Sequence, residues 1–152
     1  FRQFLFQNKD KDIIMYHGTI PDHDVWNKGL LPTSRTRRMS LQSGSGYVYV
    51  TYDPQRALSF ARTGYPGEDV YVVYSITVPI KMLKPDADQL FNKRLWSNEL
   101  HKDIGSSLAD SLIYGGGARI KGRVETYRIA VQGFYDKNGN KVEHPSDFDR
   151  KY

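Results

Sequence analysis

The stretch Tyr16-His17-Gly18-Thr19 follows the apolar run Ile13-Ile14-Met15, so a histidine and a glycine stand where a buried strand meets its exit loop. A strand fixes the direction of the imidazole, and a glycine without Cβ lets a flat ligand lie against the backbone. A histidine satisfied by a neighbouring carbonyl, with Gly18 and Thr19 merely turning the chain, fits these four residues equally well. Further along, Arg119, Lys121 and Arg123 alternate on an extended segment, which puts their side chains on one face. Arg35, Arg37 and Arg38 cluster in a second segment rich in Ser and Gly. Two such strips could flank one groove and attract a phosphate backbone, although a charge run is as often a solvated face.

Composition narrows the field. The 152 residues are 39% hydrophobic and 26% charged, enough for one domain, 1–152, with a single core. Eleven Tyr and seven Phe argue against disorder and supply ring faces for stacking. With no cysteine, disulfides, thiolate catalysis and cysteine-ligated metals are excluded. His17, His23, His101 and His144 show no metal-ligand spacing, so no metal is expected. A net charge of +5 and a pI near 9.3 favour a polyanionic contact. No apolar run approaches the roughly 20 residues of a membrane span. The chain starts at Phe1, which suggests a fragment processed from something longer.

The elements that must hold these residues are short, and strands outnumber helices. A strand over 13–17 leads into a helix from Pro21 through Lys28, closed by Gly29. Residues 31–46 read as an exposed loop. Tyr47 to Thr51 is strongly β-favouring, and Asp53-Pro54 should cap a helix to about Arg62 whose inward stripe is Ala57, Leu58 and Ala61. Val70 to Val78 reads as a central strand. Beyond it we expect a helix over 97–109, a brief strand Ser111 to Tyr114, another strand Val124 to Val131, and a hairpin Phe134 to Val142 turning at Lys137-Asn138-Gly139-Asn140. The leader 1–12 and the tail 143–152 are expected to be loose. Strand runs broken by short helices make the class α+β.

Three pieces in order carry a family resemblance: YHGT, then a short helix ending in Lys28-Gly29-Leu30, then Tyr49-Val50-Thr51 before an alanine-rich helix with Phe60 eleven positions after Tyr49. This pattern resembles the NAD-dependent ADP-ribosyltransferases, the branch of diphtheria toxin and the poly(ADP-ribose) polymerases, and suggests a bacterial polymorphic-toxin effector domain. It implies a split β-sandwich with short helices around an NAD cleft. On that resemblance His17 would bond the adenosine-side ribose, and the backbone at Gly18 and Thr19 would meet the nicotinamide side. Tyr49 would stack on nicotinamide, and Phe60 would supply the second ring.

The family usually places a glutamate at the start of a later strand to stabilise the cationic sugar as nicotinamide leaves. The best-matching position here is Asp110, with Glu125 second. A third option is that no acid is needed, as in NAD-using RNA 2′-phosphotransferases, which rely on arginines. The implied function is mono-ADP-ribosyl transfer from NAD, as co-substrate, to a macromolecule, with RNA favoured over protein and Arg35, Arg37, Arg38, Arg119, Lys121 and Arg123 contacting the target. NAD hydrolysis, or a non-catalytic nucleic-acid or nucleotide-binding module on the same fold, are the alternatives. By analogy, such a domain is released from a secreted carrier, acts in a target-cell cytoplasm and is met by an immunity protein.

Overall fold

The structure, a computed structural model, describes residues 2–32, 46–86, 108–145 and 148. Its strands are β1 (Asp12–Thr19), β2 (Tyr47–Thr51), β3 (Val70–Pro79), β4 (Leu83–Pro85), β5 (Gly117–Lys121), β6 (Ile129–Asp136) and β7 (Lys141–Val142). The helices α1 (Arg2–Gln7), α2 (Val25–Lys28) and α3 (Pro54–Gly64) accompany them. All seven strands join one antiparallel sheet in the order β4-β5-β2-β1-β3-β6-β7. The class is α+β, as the sequence indicates.

The sheet is nearly divided. β1 pairs with β3 from Asp12 opposite Pro79 to Thr19 opposite Val72, yet it meets β2 at Tyr16 opposite Thr51 alone. Among the described residues no ladder position joins His17 to Thr19 to β2, so this backbone is laddered on its β3 side and borders a split on its β2 side. One face of the sheet carries the main core, with Met15, Val48, Val50, Val72, Tyr74, Ile76, Ala118 and Ile120 buried. The other carries a smaller cluster under α3, in which Ala57, Leu58 and Ala61 pack on Tyr71, Val73 and Tyr135.

Local chemistry explains the elements that match expectation. The Asp53 carboxylate accepts from the Gln55 N–H at 2.9 Å, and Pro54 takes the first turn of α3, where a missing N–H costs nothing. Asp136 closes the β6–β7 hairpin by accepting from Asn138 and Asn140 N–H at 2.9 and 3.0 Å, which holds its carboxyl below the usual range. Gly29 ends α2 with φ 75° and an N–H to the Val25 carbonyl at 2.9 Å, but helix covers only Val25–Lys28, because Asp22 captures the Asp24 N–H in a side-chain turn instead.

Several expectations are corrected. Ser111 to Tyr114 is no strand: Leu108–Asp110 is a helical turn that widens through Ser111–Gly115, and β5 begins only at Gly117. The strand expected over Val124 to Val131 starts at Ile129, after an isolated bridge between Val124 and Leu30 and a tight turn Thr126–Arg128. Neither terminus is loose throughout. Leu5 is buried, and the Ile80 and Lys81 N–H groups bond the Lys11 and Lys9 carbonyls at 3.0 and 2.9 Å. Phe148 is buried among Trp26, Tyr74 and Phe134, and its carbonyl accepts from Trp26 Nε1 at 2.9 Å. Most of the loop 31–46 and of the helix expected over 97–109 lies outside the described residues.

Candidate functional site

His17 spans the split. Its Nδ1–H donates to the Tyr49 carbonyl at 2.7 Å, tying β1 to β2 beyond their last ladder position. That bond selects the tautomer: with Nδ1 carrying the proton, Nε2 of the neutral ring is an acceptor. Burial depresses the His17 pKa, and the Tyr49 bond opposes the shift without cancelling it, so the ring is neutral at physiological pH. The structure shows the first of the two sequence readings of His17, one nitrogen satisfying a strand carbonyl.

Tyr49 lies half-buried on the β2 face that also carries Tyr47 and Thr51, opposite Arg119, Lys121 and Gly117 of β5 respectively. Arg119 is fixed there. Its Nε donates to the Pro85 carbonyl at 2.9 Å, and its guanidinium lies 4.1 Å from the centre of the Tyr47 ring. Lys121 is exposed on the same face. Arg123 does not continue the alternation, because β5 stops at Lys121 and Gly122 turns the chain, its N–H bonding the Gly46 carbonyl at 2.9 Å. Arg35, Arg37 and Arg38 lie outside the described residues.

Gly18 serves packing. A Cβ there would collide with the Ala57 carbonyl and come within 3.1 Å of Ala61 Cβ, so the missing side chain is what lets α3 lie on β1. Thr19 ends β1 opposite Val72. Phe60 is on the outer side of α3, 44% exposed, with Arg56 6.0 Å from its ring centre. The helix stripe that buries Ala57, Leu58 and Ala61 turns Phe60 outward.

Neither carboxylate singled out in the sequence opens a strand. Asp110 sits in the helical turn before β5, 1% exposed, and Glu125 is exposed ahead of the tight turn Thr126–Arg128. Glycines 115–117 lead into β5 instead, and the turn is held from several sides. Thr51 Oγ1–H donates to the Gly116 carbonyl at 2.6 Å, Ser111 Oγ–H donates to the Gly117 carbonyl at 2.6 Å, and the Asp86 N–H donates to Ser111 Oγ at 2.8 Å. Over this turn lies Arg56, whose guanidinium occupies the space a Cβ on Gly116 would need, beside Tyr52. Sequence reading missed Arg56, Thr51, Ser111 and Asp86. Arg56 was within reach of it, standing one position before the inward stripe that begins at Ala57.

An apolar cavity of about 380 Å³, lined by residues that include Leu5, Met15, Tyr52, Leu112 and Ile113, lies at the opposite end of β1 from His17 and contains neither His17 nor Tyr49. Among the described residues no group of three or more His, Cys, Asp or Glu could hold a metal.

Comparison of the whole structure decides the fold. A mutant of the E. coli heat-labile enterotoxin, altered at a buried residue, aligns over 86% of this chain and 72% of its own, with TM-score 0.54 and 16% identity. The fold is the one that enterotoxin adopts. A double mutant of heat-labile enterotoxin aligns over 85% of this chain and 59% of its own, with TM-score 0.46 and 13% identity. No protein-family model matches the sequence, and no curated protein matches it. The likeness is thus one of architecture: this chain builds the enterotoxin-like fold, with a histidine bonded from β1 to the backbone of β2 and glycines leading into β5.

Proposed function

We propose that the split between β1 and β2 binds NAD and that the domain transfers ADP-ribose from it to a macromolecule, RNA in preference to protein. The observation that carries this reading is His17 bridging to Tyr49 beside the single ladder position that joins β1 to β2 among the described residues. A neutral imidazole with Nε2 as acceptor suits a ribose hydroxyl, and the half-buried Tyr49 ring suits a flat nicotinamide. Phe60, on the outer side of α3, fits a contact with the acceptor better than the second nicotinamide ring that the motif implies. The diphtheria-toxin and polymerase branch rests on the spacing of YHGT, Tyr49 and Phe60. Release from a secreted carrier, action in a target cell and an immunity partner follow by analogy from that branch.

The test is nicotinamide release from NAD, with labelled product sought in RNA and in protein fractions. His17→Ala and Tyr49→Ala should each lower release at least tenfold while leaving the melting temperature within a few degrees. Full activity in both variants refutes the reading. Rapid NAD consumption with no labelled macromolecule would select hydrolysis. The glycine start of β5 favours one further alternative, a nucleotide-binding module without turnover. An NAD-dependent rise in melting temperature with no nicotinamide released would select it.

A further inference from the structure

β1 has two edges, and along its first half the ladder occupies one of them. The Ile80 N–H bonds the Lys11 carbonyl at 3.0 Å, continuing the register in which Asp12 stands opposite Pro79. Bonded and non-bonded pairs alternate in an antiparallel ladder, so the bonds to β3 fall on Ile13, Met15 and His17. Two residues agree with that phase. Pro79, with no N–H to give, sits at a non-bonded pair, and Tyr16 faces β2, where it meets Thr51. Ile14 therefore turns its N–H and C=O toward the β2 side. No ladder partner stands there among the described residues, because the chain leaves β2 at Thr51 and enters α3 at Pro54. What borders this edge instead is the apolar cavity of about 380 Å³, lined by Ile13, Ile14 and Met15 together with Tyr52, Leu112 and Ile113. Of the eight large apolar side chains exposed among the described residues, four (Phe4, Ile14, Tyr52 and Ile113) surround this one cavity. Proteins ordinarily pair, charge or cover an open strand edge, and their exposed apolar residues are scattered singly.

We propose that this edge of β1 receives an extended segment of a partner protein as an added strand, apolar along its middle and acidic at both ends. The added strand bonds the Ile14 N–H and C=O, and its side chains fill the cavity. Ile13 and Met15 project from one face of the sheet and Ile14 from the other, so the segment needs apolar side chains on both faces, a short run of β-branched residues. Its charge follows from the rim. Lys11 stands immediately before β1 and is exposed, while Arg56 and Tyr52 both border Gly116 at the Tyr16 end. From Lys11 to Tyr16 is about 17 Å along the strand, which sets the spacing of the two acidic ends. Lys9, over the Phe6 ring, adds a third cation. The carboxylates close by are fewer: Asp53 is committed to the start of α3, Asp10 is paired with Lys81 at 2.8 Å, and Asp12 remains. A lipid chain suits this groove poorly, since it offers nothing to the Ile14 N–H and C=O. A second copy of this chain would bring like cations together. The surface lies at the opposite end of β1 from His17, so the inference stands whether or not NAD is turned over.

The probe is a capped peptide with two glutamates at each end of a Val-Ile-Val-Thr-Val run, added to the whole chain while amide hydrogen exchange is followed by NMR. Binding should slow exchange of the Ile14 N–H about tenfold or more. The same peptide with alternate backbone nitrogens methylated keeps its side chains and loses its strand donors, and it should bind about tenfold more weakly. A peptide with lysines in place of the glutamates should lose about as much. Ile113→Asp and Ile14→Asp should each weaken binding of the original peptide about tenfold, with the melting temperature unchanged. The modified peptides carry the test on the parent chain if either substitution unfolds it. An Ile14 N–H that stays unprotected, or equal binding of the methylated peptide, overturns strand addition. Equal binding of the lysine-flanked peptide overturns the acidic occupant. Displacement of the peptide by phosphatidylserine vesicles, or a dimer of the parent chain that Ile113→Asp abolishes, gives the groove to a lipid or to a second copy and overturns the proposal.

Discussion

At position 18 a single missing methyl group decides how close a helix can come to a strand. The Ala57 carbonyl occupies the place a Cβ would take, and backbone cannot yield as a side chain tip can. Gly18→Ala should therefore force α3 away from β1 and lower stability by about 3 kcal/mol, at the upper end of overpacking costs. Urea unfolding checks it, and a variant as stable as the parent refutes the packing account. The neighbouring His17 makes a prediction about pH. Its folded pKa lies below the ordinary value of 6.5, so between those two values the unfolded chain binds more protons and stability rises with pH. The contribution is complete above about pH 6.5 and is lost as pH falls through the depressed folded value, at no more than about 1.4 kcal/mol per pH unit. Unfolding measured at pH 7.5 and 5.5 should show this loss in the parent and a smaller one in His17→Gln. Equal losses would mean that other groups set the acid limb.

Elements whose signals are local were legible in the sequence. Asp53 and Pro54 announce the start of α3, and Asp53→Ala should cost about 1 kcal/mol by exposing the Gln55 N–H, as read by thermal or urea unfolding. An unchanged midpoint would show that Pro54 alone fixes the helix start. Tyr47 to Thr51 is β-branched and aromatic throughout and Val70 to Val78 is so apart from Ser75, and they form strands. Where long-range bonds decide, the sequence was silent. Ser111-Leu112-Ile113-Tyr114 is a short apolar run of the kind that periodicity cannot assign. Its fate is set by the Ser111 hydroxyl, which bonds Gly117 and receives the Asp86 N–H from a different element. β5 was hidden by its brevity, since Ala118 and Ile120 alone alternate with Arg119 and Lys121 behind a run of glycines, too short a pattern to read until its pairing with β2 is seen. The candidate site divides the same way. His17 and Tyr49 were visible because one motif and one strand carry them, whereas Arg56 and the glycine turn meet only in the folded chain.

The whole molecule is a sheet that must stay split and yet hold together. One ladder position and one histidine bond join β1 to β2, so other contacts must fix the two halves. A large share comes from the far end of the chain. Phe148, 2% exposed, meets the Trp26, Tyr74 and Phe134 rings at 5.8, 6.5 and 5.2 Å between centres, linking α2, β3 and β6. Its carbonyl also receives the Trp26 indole N–H. Tyr74 stands opposite His17 across the β1–β3 ladder, so this aromatic cluster backs the strand that presents the histidine. Phe148→Ala should cost about 3–5 kcal/mol, the range for an aromatic truncated in a packed core. It should also loosen the α2 loop that follows β1 and so weaken ligand binding at His17. Phe148→Leu, which refills most of the space, should recover a large part of both losses. Urea unfolding gives the first quantity, and the ligand-induced shift in melting temperature gives the second. A Phe148→Ala loss below about 1 kcal/mol would mean that the C-terminal residues decorate the fold without bracing it. A full stability loss with binding unchanged would separate the clasp from the site.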